Sequence, residues 1–295
     1  MPTSMQATTL LDLSGLVAVS GICCRGDEEA GPRMIAAHDG KNPDEAELPR
    51  ISVLTLTNSP QGIVWEPLVM DWPQMEQGQP NDLESAAAIP GTSSALFVES
   101  GDDGGPFRRI FHVELALDVR AVGRVVEVVD WPVPPFNVEG SAVALAGEQL
   151  VFLYAERAQG QPSTMINWAP LSLSPLAFGE FQAVPFTSPA VTGPDDRPVS
   201  AIEVASDGTI YVASAYDSGN DDGPFSSTIW VAGRVVDDGG PRVVLEETPR
   251  LVATLDAFKT ESLAIQVAVD GTETLFAGTD DENYGGVLRP IPTRP

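Results

Sequence analysis

The sequence predicts an all-β protein, a five-bladed β-propeller that forms one domain over residues 1–295. Three observations predict this fold. A short phrase recurs along the chain, each copy leads into a pair of apolar strands, and the two ends of the chain resemble complementary parts of one unit. Repeats of several short strands, separated by turns rich in Gly and Pro, are typical of radial β architectures.

The recurring phrase is a polar residue, an apolar or β-branched residue, Glu and a small residue, followed by an apolar strand, a Gly-centred turn and a second apolar strand. Three clear copies are Asp82-Leu83-Glu84-Ser85, Asn137-Val138-Glu139-Gly140 and Lys259-Thr260-Glu261-Ser262. Two weaker copies are Asp12-Leu13-Ser14-Gly15 and Val199-Ser200-Ala201-Ile202. The copies begin near residues 12, 82, 137, 199 and 259, and five units predict five blades.

The ends of the chain predict how the ring closes. The fifth unit stops after its third strand, near residues 286–291, whereas Thr8-Thr9-Leu10-Leu11-Asp12 resembles the strand end Ala253-Thr254-Leu255-Asp256. We therefore expect residues 6–11 to form the outer strand of the last blade. Such a strand would pair an open sheet edge, and open edges promote aggregation.

Composition restricts the partners. The chain has 42 acidic and 16 basic residues and a formal net charge of −26. Nucleic acid and anionic membranes are disfavoured, because binding phosphates depends on Lys and Arg. No apolar run reaches the roughly 18 to 20 residues that span a bilayer, and no targeting segment is evident. We expect a soluble monomer that binds a small-molecule ligand or substrate.

Three glutamates are the strongest candidates for a metal site. Because the first strand of each blade lines the central channel of a propeller, we expect Glu84, Glu139 and Glu261 to meet near one end of the axis. Carboxylates about 6 Å apart repel by roughly 3 kcal/mol per pair at an effective dielectric near 20. A Ca²⁺ ion, which typically takes about six to eight oxygen ligands, would offset this repulsion. Alternatively, each glutamate accepts backbone hydrogen bonds from the neighbouring blade and fixes its register.

Other candidates lie beside these glutamates. Asp82 and Asn137 begin two copies of the phrase, and Glu99 begins one of the acidic loops that follow the second strands. We interpret these three residues as ligand-binding, although turn formation also explains loops rich in Asp, Asn and Gly. His38 is a candidate proton carrier, with a structural role as the alternative. The sequence contains no serine-hydrolase elbow, phosphate-binding loop or zincin motif.

The Asp-Leu-Glu-Ser and Asn-Val-Glu-Gly phrases resemble the Asp-x-Glu-Gly repeats of the phytase-like and SdiA-regulated propeller families. The resemblance covers most of the chain. It implies an acidic, channel-facing and often metal-binding site, which in this sequence corresponds to Glu84, Glu139 and Glu261. Two hypotheses follow: a calcium-dependent hydrolase of a phosphoester or lactone, or a non-catalytic propeller that binds a small molecule or a protein partner.

Overall fold

The computed structural model describes residues 5–6, 12–18, 33–40, 49–57, 62–73, 78–101, 107–116, 122–132, 137–268 and 270–292. These residues form five sheets around a common axis, which confirms the predicted five-bladed propeller. Adjacent strands within each blade are antiparallel, except for one added edge strand in blade 2.

The first two blades follow the N-terminal strand β1 (Met5–Gln6). Blade 1 consists, from the axis outwards, of β2 (Gly15–Ala18), β3 (Arg33–Ala37), β4 (Ile51–Leu56) and β5 (Ile63–Pro67). The short strand β6 (Val69–Asp71) then runs parallel to the outer strand of blade 2, which consists of β7 (Leu83–Ala88), β8 (Ser94–Glu99), β9 (Arg109–Ala116) and β10 (Val122–Asp130).

The remaining blades repeat this order. Blade 3 consists of β11 (Val138–Ala146), β12 (Gln149–Glu156) and β13 (Ser163–Leu173), which pairs with both β14 (Leu176–Phe178) and β15 (Gln182–Thr187). Blade 4 consists of β16 (Asp196–Val204), β17 (Thr209–Asp217), β18 (Phe225–Asp237) and β19 (Pro241–Asp256). Blade 5 consists of β20 (Thr260–Val267), β21 (Glu273–Thr279), β22 (Val287–Ile291) and β1, with a 3-10 turn at Glu282–Tyr284.

The N-terminal strand closes the last blade, as the sequence predicts. Met5 pairs with Leu288 and Gln6 pairs with Val287 in an antiparallel ladder. Of the segment predicted for this strand, Gln6 lies in it, and residues 7–11 lie outside the described part of the chain. The edge of β22 is therefore covered by a strand from the other end of the sequence.

The hydrophobic core lies between the blades. One buried cluster occupies each of the five interfaces between neighbouring blades, including the interface between blades 5 and 1. Consecutive strand residues point to opposite faces, so Leu16 packs against blade 5 while Val17 packs against blade 2. Small residues allow the inner strands to approach closely. A Cβ atom at Gly140 would lie 2.8 Å from the Ile202 amide nitrogen.

The channel is narrow below its mouth. The axial space lined by Ser14, Ser85, Ala201, Glu261 and Ser262 has a volume of ≈ 10 Å³, which is about the space of one water molecule. A small-molecule ligand of the axis would therefore have to be accepted at the mouth. Within the described part of the chain, no helical segment has the length and apolar character of a membrane-spanning helix.

Candidate functional site at the channel mouth

Equivalent residues of the five blades form three rings at the end of the channel where the inner strands begin. We name the residue that precedes each inner strand the approach residue. The inner-ring residue follows it by two positions, and the outer-ring residue lies at or just after the end of the second strand. The approach residues are Asp12, Asp82, Asn137, Asp195 and Lys259; the inner ring is Ser14, Glu84, Glu139, Arg197 and Glu261; the outer ring is Asp39, Ser100, Arg157, Asp217 and Asp280.

A repeated main-chain hydrogen bond defines this equivalence. In blades 2 to 5 the amide of the outer-ring residue donates to the carbonyl of the approach residue, and all four bonds are 3.0 Å long: Ser100 to Asp82, Arg157 to Asn137, Asp217 to Asp195 and Asp280 to Lys259. In blade 1 the Asp39 amide donates instead to the Asp12 carboxylate, at 2.8 Å. The same backbone frame therefore presents different side chains in each blade.

Local backbone geometry explains several residue types of the repeated phrase. Glu84, Glu139 and Glu261 each lie at a β-bulge in the ladder between the first and second strands, and a bulge can re-aim a side chain. Asp82 and Asn137, predicted to bind ligand, have φ angles of 59° and 66°. Asp and Asn tolerate this left-handed region better than most residues, so the backbone favours these residue types at both positions.

In blades 3 to 5 the carboxylates are paired with buried cations. Arg197 Nη1 lies 2.8 Å from Glu261 Oε1 and 3.4 Å from Glu139 Oε2. Its Nη2 lies 2.5 Å from Asp217 Oδ2. Arg197 thus occupies, in blade 4, the ring position that glutamate holds in the two neighbouring blades, and it joins those two glutamates across the mouth.

Two further cations complete this network. Lys259 Nζ lies 2.9 Å from Asp280 Oδ2 and 3.3 Å from Glu261 Oε1, and it also contacts Glu282. Arg157 Nε contacts Glu139 Oε1. Two of the three glutamates predicted to bind metal, Glu139 and Glu261, are therefore already neutralised by side chains of the protein.

Burial and like charges perturb these acids. Burial raises the pKa of Glu139 to about 7, with Glu84 and Glu261 adding to the rise against the opposing effect of Arg157 and Arg197. Burial and Glu261 raise the pKa of Asp280 well above its ordinary value in spite of Lys259. Glu84 and Glu261 therefore both lie within electrostatic reach of Glu139.

Blades 1 and 2 contribute a different cluster. Ligand oxygens of Asp39, Asp82 and Glu84 all lie within 4.8 Å of one another. Asp82 and Glu84 are buried and Asp39 is partly buried. At this separation each pair of ionised carboxylates repels by about 3 kcal/mol at an effective dielectric near 20. This trio can offer several hard oxygen ligands from three side chains, which suits Ca²⁺.

Glu99, also predicted to bind ligand, lies in a buried ion pair with Arg109. Arg109 Nε donates to Glu99 Oε2 at 2.9 Å and Nη2 contacts Oε1 at 2.5 Å, while Oε1 also accepts from the Asn81 amide. Arg109 further donates to the carbonyls of Gly78 and Gln79. The pair therefore fixes the backbone of residues 78–81, which lead to Asp82 at the mouth.

His38, the candidate proton carrier, has both ring nitrogens engaged. Nδ1 lies 2.7 Å from the Asp12 carbonyl and therefore donates to it, and Nε2 lies 2.8 Å from Ser52 Oγ, which can donate or accept. The ring is almost fully buried. These contacts favour the structural alternative, in which His38 joins the approach residue of blade 1 to the third strand of that blade.

Sequence reasoning assigned no role to Arg157, Arg197 or Lys259. A signal for Arg197 was present, because it follows Asp195 by the same two positions that separate Asp82 from Glu84. The apolar pattern of the fourth copy instead puts this position near Pro198, with Arg197 and Ser200 beside it. In the structure, the register shift between Arg197 and Ala201 is longer than in the other blades. That longer bulge carries Arg197 into the ring.

Comparison with known proteins supports the fold. No family model and no curated protein matches the chain. An exo-1,5-α-L-arabinanase from a bovine ruminal metagenomic library shares 10% identity, with coverage of 95% of this chain and 92% of that chain and a TM-score of 0.53. A GH43 β-1,3-galactosidase with galactodeoxynojirimycin shares 11% identity, with coverage of 99% and 94% and a TM-score of 0.50.

These similarities are to five-bladed propellers of glycoside hydrolases, and at such identities they show the fold alone. A glucose dehydrogenase shares 13% identity with a TM-score of 0.48, a structural similarity too low to support a conclusion about this chain. The resemblance to the phytase-like and SdiA-regulated families gains no family-level support. What the chain shares with its structural neighbours is the propeller architecture.

Proposed function

We propose that this protein binds a calcium ion at the channel mouth through Asp39, Asp82 and Glu84. One observation carries the proposal: ligand oxygens of three carboxylates lie within 4.8 Å of one another at the channel mouth. Of the three glutamates expected to bind metal, only Glu84 belongs to this set. Glu139 and Glu261 are paired with Arg197, and Asp39 and Asp82 take their places as ligands.

The donor set favours a hard ion. All three side chains provide carboxylate oxygens, and Ca²⁺ accepts such ligands in irregular geometry together with carbonyls and water. Zinc prefers nitrogen and sulfur ligands. The neighbouring imidazole, that of His38, uses both nitrogens in hydrogen bonds to Asp12 and Ser52.

We further propose hydrolysis of a phosphoester or lactone as the reaction. A bound calcium ion would supply Lewis-acid polarisation of an ester oxygen. The protein's own residues would hold the ion (Asp39, Asp82 and Glu84), and the Glu99–Arg109 pair would fix the segment before Asp82. Because the axial space is only ≈ 10 Å³, the substrate would bind above it, at the mouth.

A non-catalytic binding propeller is the second candidate. It is favoured by the engagement of His38 in two hydrogen bonds and of Glu139 in ion pairs with Arg157 and Arg197, since these contacts occupy the groups best suited to transfer a proton. In that case the mouth would recognise a small molecule or a protein without chemistry.

Metal analysis and an esterase assay separate these possibilities. Protein purified without chelator is expected to contain about one calcium per chain, and the variant Asp39→Asn is expected to contain much less. Hydrolysis of a simple lactone or a phosphoester that stops on addition of chelator and returns with calcium would support the enzyme. Stoichiometric calcium without hydrolysis of either substrate class would favour the binding propeller, and calcium-free wild-type protein would reject the site.

A further inference from the structure

Arg157 differs from the other two cations of the mouth in its exposure. Its side chain is 24% exposed, whereas those of Arg197 and Lys259 are 5% and 3% exposed. Arg197 and Lys259 each contact at least three carboxylates. Arg157 is thus the ring cation that a ligand entering the mouth can reach.

The contacts of Arg157 leave the outer end of its guanidinium group available. Among the described residues, it forms hydrogen bonds through its backbone amide, to the Asn137 carbonyl, and through Nε, to Glu139. Neither Nη nitrogen forms a hydrogen bond there. The Nε contact and the main-chain bond hold the side chain in place, while the two Nη groups present parallel donors of the kind that bind an oxyanion in a bidentate manner.

The position of Arg157 connects it to the proposed metal site. It belongs to the blade that follows Glu84 around the ring, and Glu84 is among the acids that raise its pKa, after the opposing effect of burial and the larger contribution of Glu139. Arg157 therefore lies within electrostatic reach of Glu84, one of the three proposed metal ligands.

Charge favours a singly charged oxyanion. Glu84, Glu139 and Glu261 all act electrostatically on Arg157. Because the interaction energy scales with the product of the charges, a phosphate dianion would double both its attraction to Arg157 and its repulsion from these three acids, and would therefore meet the larger net repulsion. A carboxylate still gains the bidentate contact with the Nη groups.

We propose that Arg157 binds the carboxylate of a small ligand, and that the ligand class of this site is a hydroxycarboxylate, the product of lactone hydrolysis. This inference rests on the proposed function and selects its lactone branch over its phosphoester branch. In that reaction the water oxygen bonds to the carbonyl carbon, the ring C–O bond breaks, and its oxygen gains a proton to become the hydroxyl. The new carboxylic acid loses a proton to solvent and becomes the carboxylate that Arg157 holds.

Calorimetric titration with 4-hydroxybutyrate tests the inference, with inorganic phosphate and neutral 1,4-butanediol as comparison ligands. We expect the wild-type protein to bind 4-hydroxybutyrate more tightly than either. The variant Arg157→Gln should bind it about tenfold to a hundredfold more weakly, as expected for lost charge-assisted hydrogen bonds. The affinity of Arg157→Lys for 4-hydroxybutyrate should lie between those of wild type and Arg157→Gln. The control Arg250→Gln, at an exposed site, should bind with the affinity of wild type.

Two results would overturn the inference: tighter binding of phosphate than of 4-hydroxybutyrate, or equal binding by wild type and Arg157→Gln at matched melting temperatures. Calcium titration of the same proteins keeps this failure separate from failure of the proposed function. Calcium binding without Arg157-dependent carboxylate binding refutes the role of Arg157 alone. Arg157-dependent carboxylate binding without calcium binding refutes the metal site and leaves the carboxylate site standing.

Discussion

The two sides of the channel mouth use the same backbone frame but carry different charged side chains at its ring positions. Blades 3 to 5 place three cations in the rings, Arg157, Arg197 and Lys259, and these pair with the local acids. Blades 1 and 2 place four acids there, Asp12, Asp39, Asp82 and Glu84, with no ring cation among the described residues. The repeat therefore fixes where a side chain stands, and the neighbouring blade decides what that side chain can do.

The largest expected effect is the loss of Arg197. Replacing it with Met should destabilise the fold by about 3 to 5 kcal/mol, because Glu139, Glu261 and Asp217 would lose a shared buried counter-charge. The control Arg234→Gln removes an exposed ion pair with Asp207 and should change stability by less than about 1 kcal/mol. Chemical unfolding measures both. Similar losses in the two variants would mean that Arg197 does not organise this half of the mouth.

The pH dependence of stability should distinguish Glu139 from an ordinary surface acid. Its folded-state pKa of about 7 exceeds the ordinary value of 4.5, so its contribution to stability is complete below pH 4.5 and is lost as the pH rises through 7. The loss amounts to about 3 kcal/mol across that window. The variant Glu139→Gln cannot titrate at this position. The difference between its free energy of unfolding and that of wild type should therefore shift in favour of the variant as the pH rises from 5 to 8. A constant difference between the two proteins would contradict the raised pKa.

Removing one acid should have opposite effects on the two sides when calcium is absent. In chelator, Glu84→Gln should leave the protein no less stable, because the relieved repulsion with Asp39 and Asp82 offsets the lost attraction to Arg157. Glu261→Gln should destabilise it by about 2 kcal/mol, because it removes a partner of Arg197 and Lys259. Thermal unfolding of both variants checks the signs, and effects of the same sign would remove the distinction between the two sides.

The smallest expected effect concerns Asn137, whose residue type we attribute to the left-handed backbone conformation at this position. Its φ angle of 66° suits Gly as well as Asn. Asn137→Gly should therefore be nearly neutral, while Asn137→Ala should cost about 1 kcal/mol of strain. Urea unfolding of the pair provides the measurement. A large loss in the Gly variant would show that the amide group itself has a structural or binding role.

The fold followed from the sequence because it depends on periodic features. Alternating apolar residues in each copy direct one side chain into each neighbouring interface, as Leu16 and Val17 do. Closure by the N-terminal strand followed from a missing fourth strand in the last unit, and the pairing of Met5 with Leu288 confirms it. Both inferences need only local pattern and the rule that sheet edges are covered.

The site followed only in part, because ion pairs depend on register and on neighbours. Glu84, Glu139 and Glu261 were recognisable from their place in the phrase, but the cation between the last two comes from a bulge whose length the sequence does not reveal. In the sequence, Glu99 looks like the other acidic residues of the loop that it begins. Its ion pair with Arg109, however, depends on the third strand of the same blade. Asp39 follows the second strand of the first unit in the sequence, and only the ring geometry brings it close to Asp82 and Glu84.

We propose that blades 1 and 2, and not the axis as a whole, bind the cation. The most direct test is the calcium-induced rise in melting temperature of wild type, Glu84→Gln and Glu261→Gln. We expect a rise for wild type equivalent to about 2.7 kcal/mol at a hundredfold excess over the dissociation constant, a similar rise for Glu261→Gln and a much smaller one for Glu84→Gln. An equal loss of the calcium response in both variants would place the ion on the axis, and a wild-type melting temperature indifferent to calcium and chelator would reject calcium binding at the mouth.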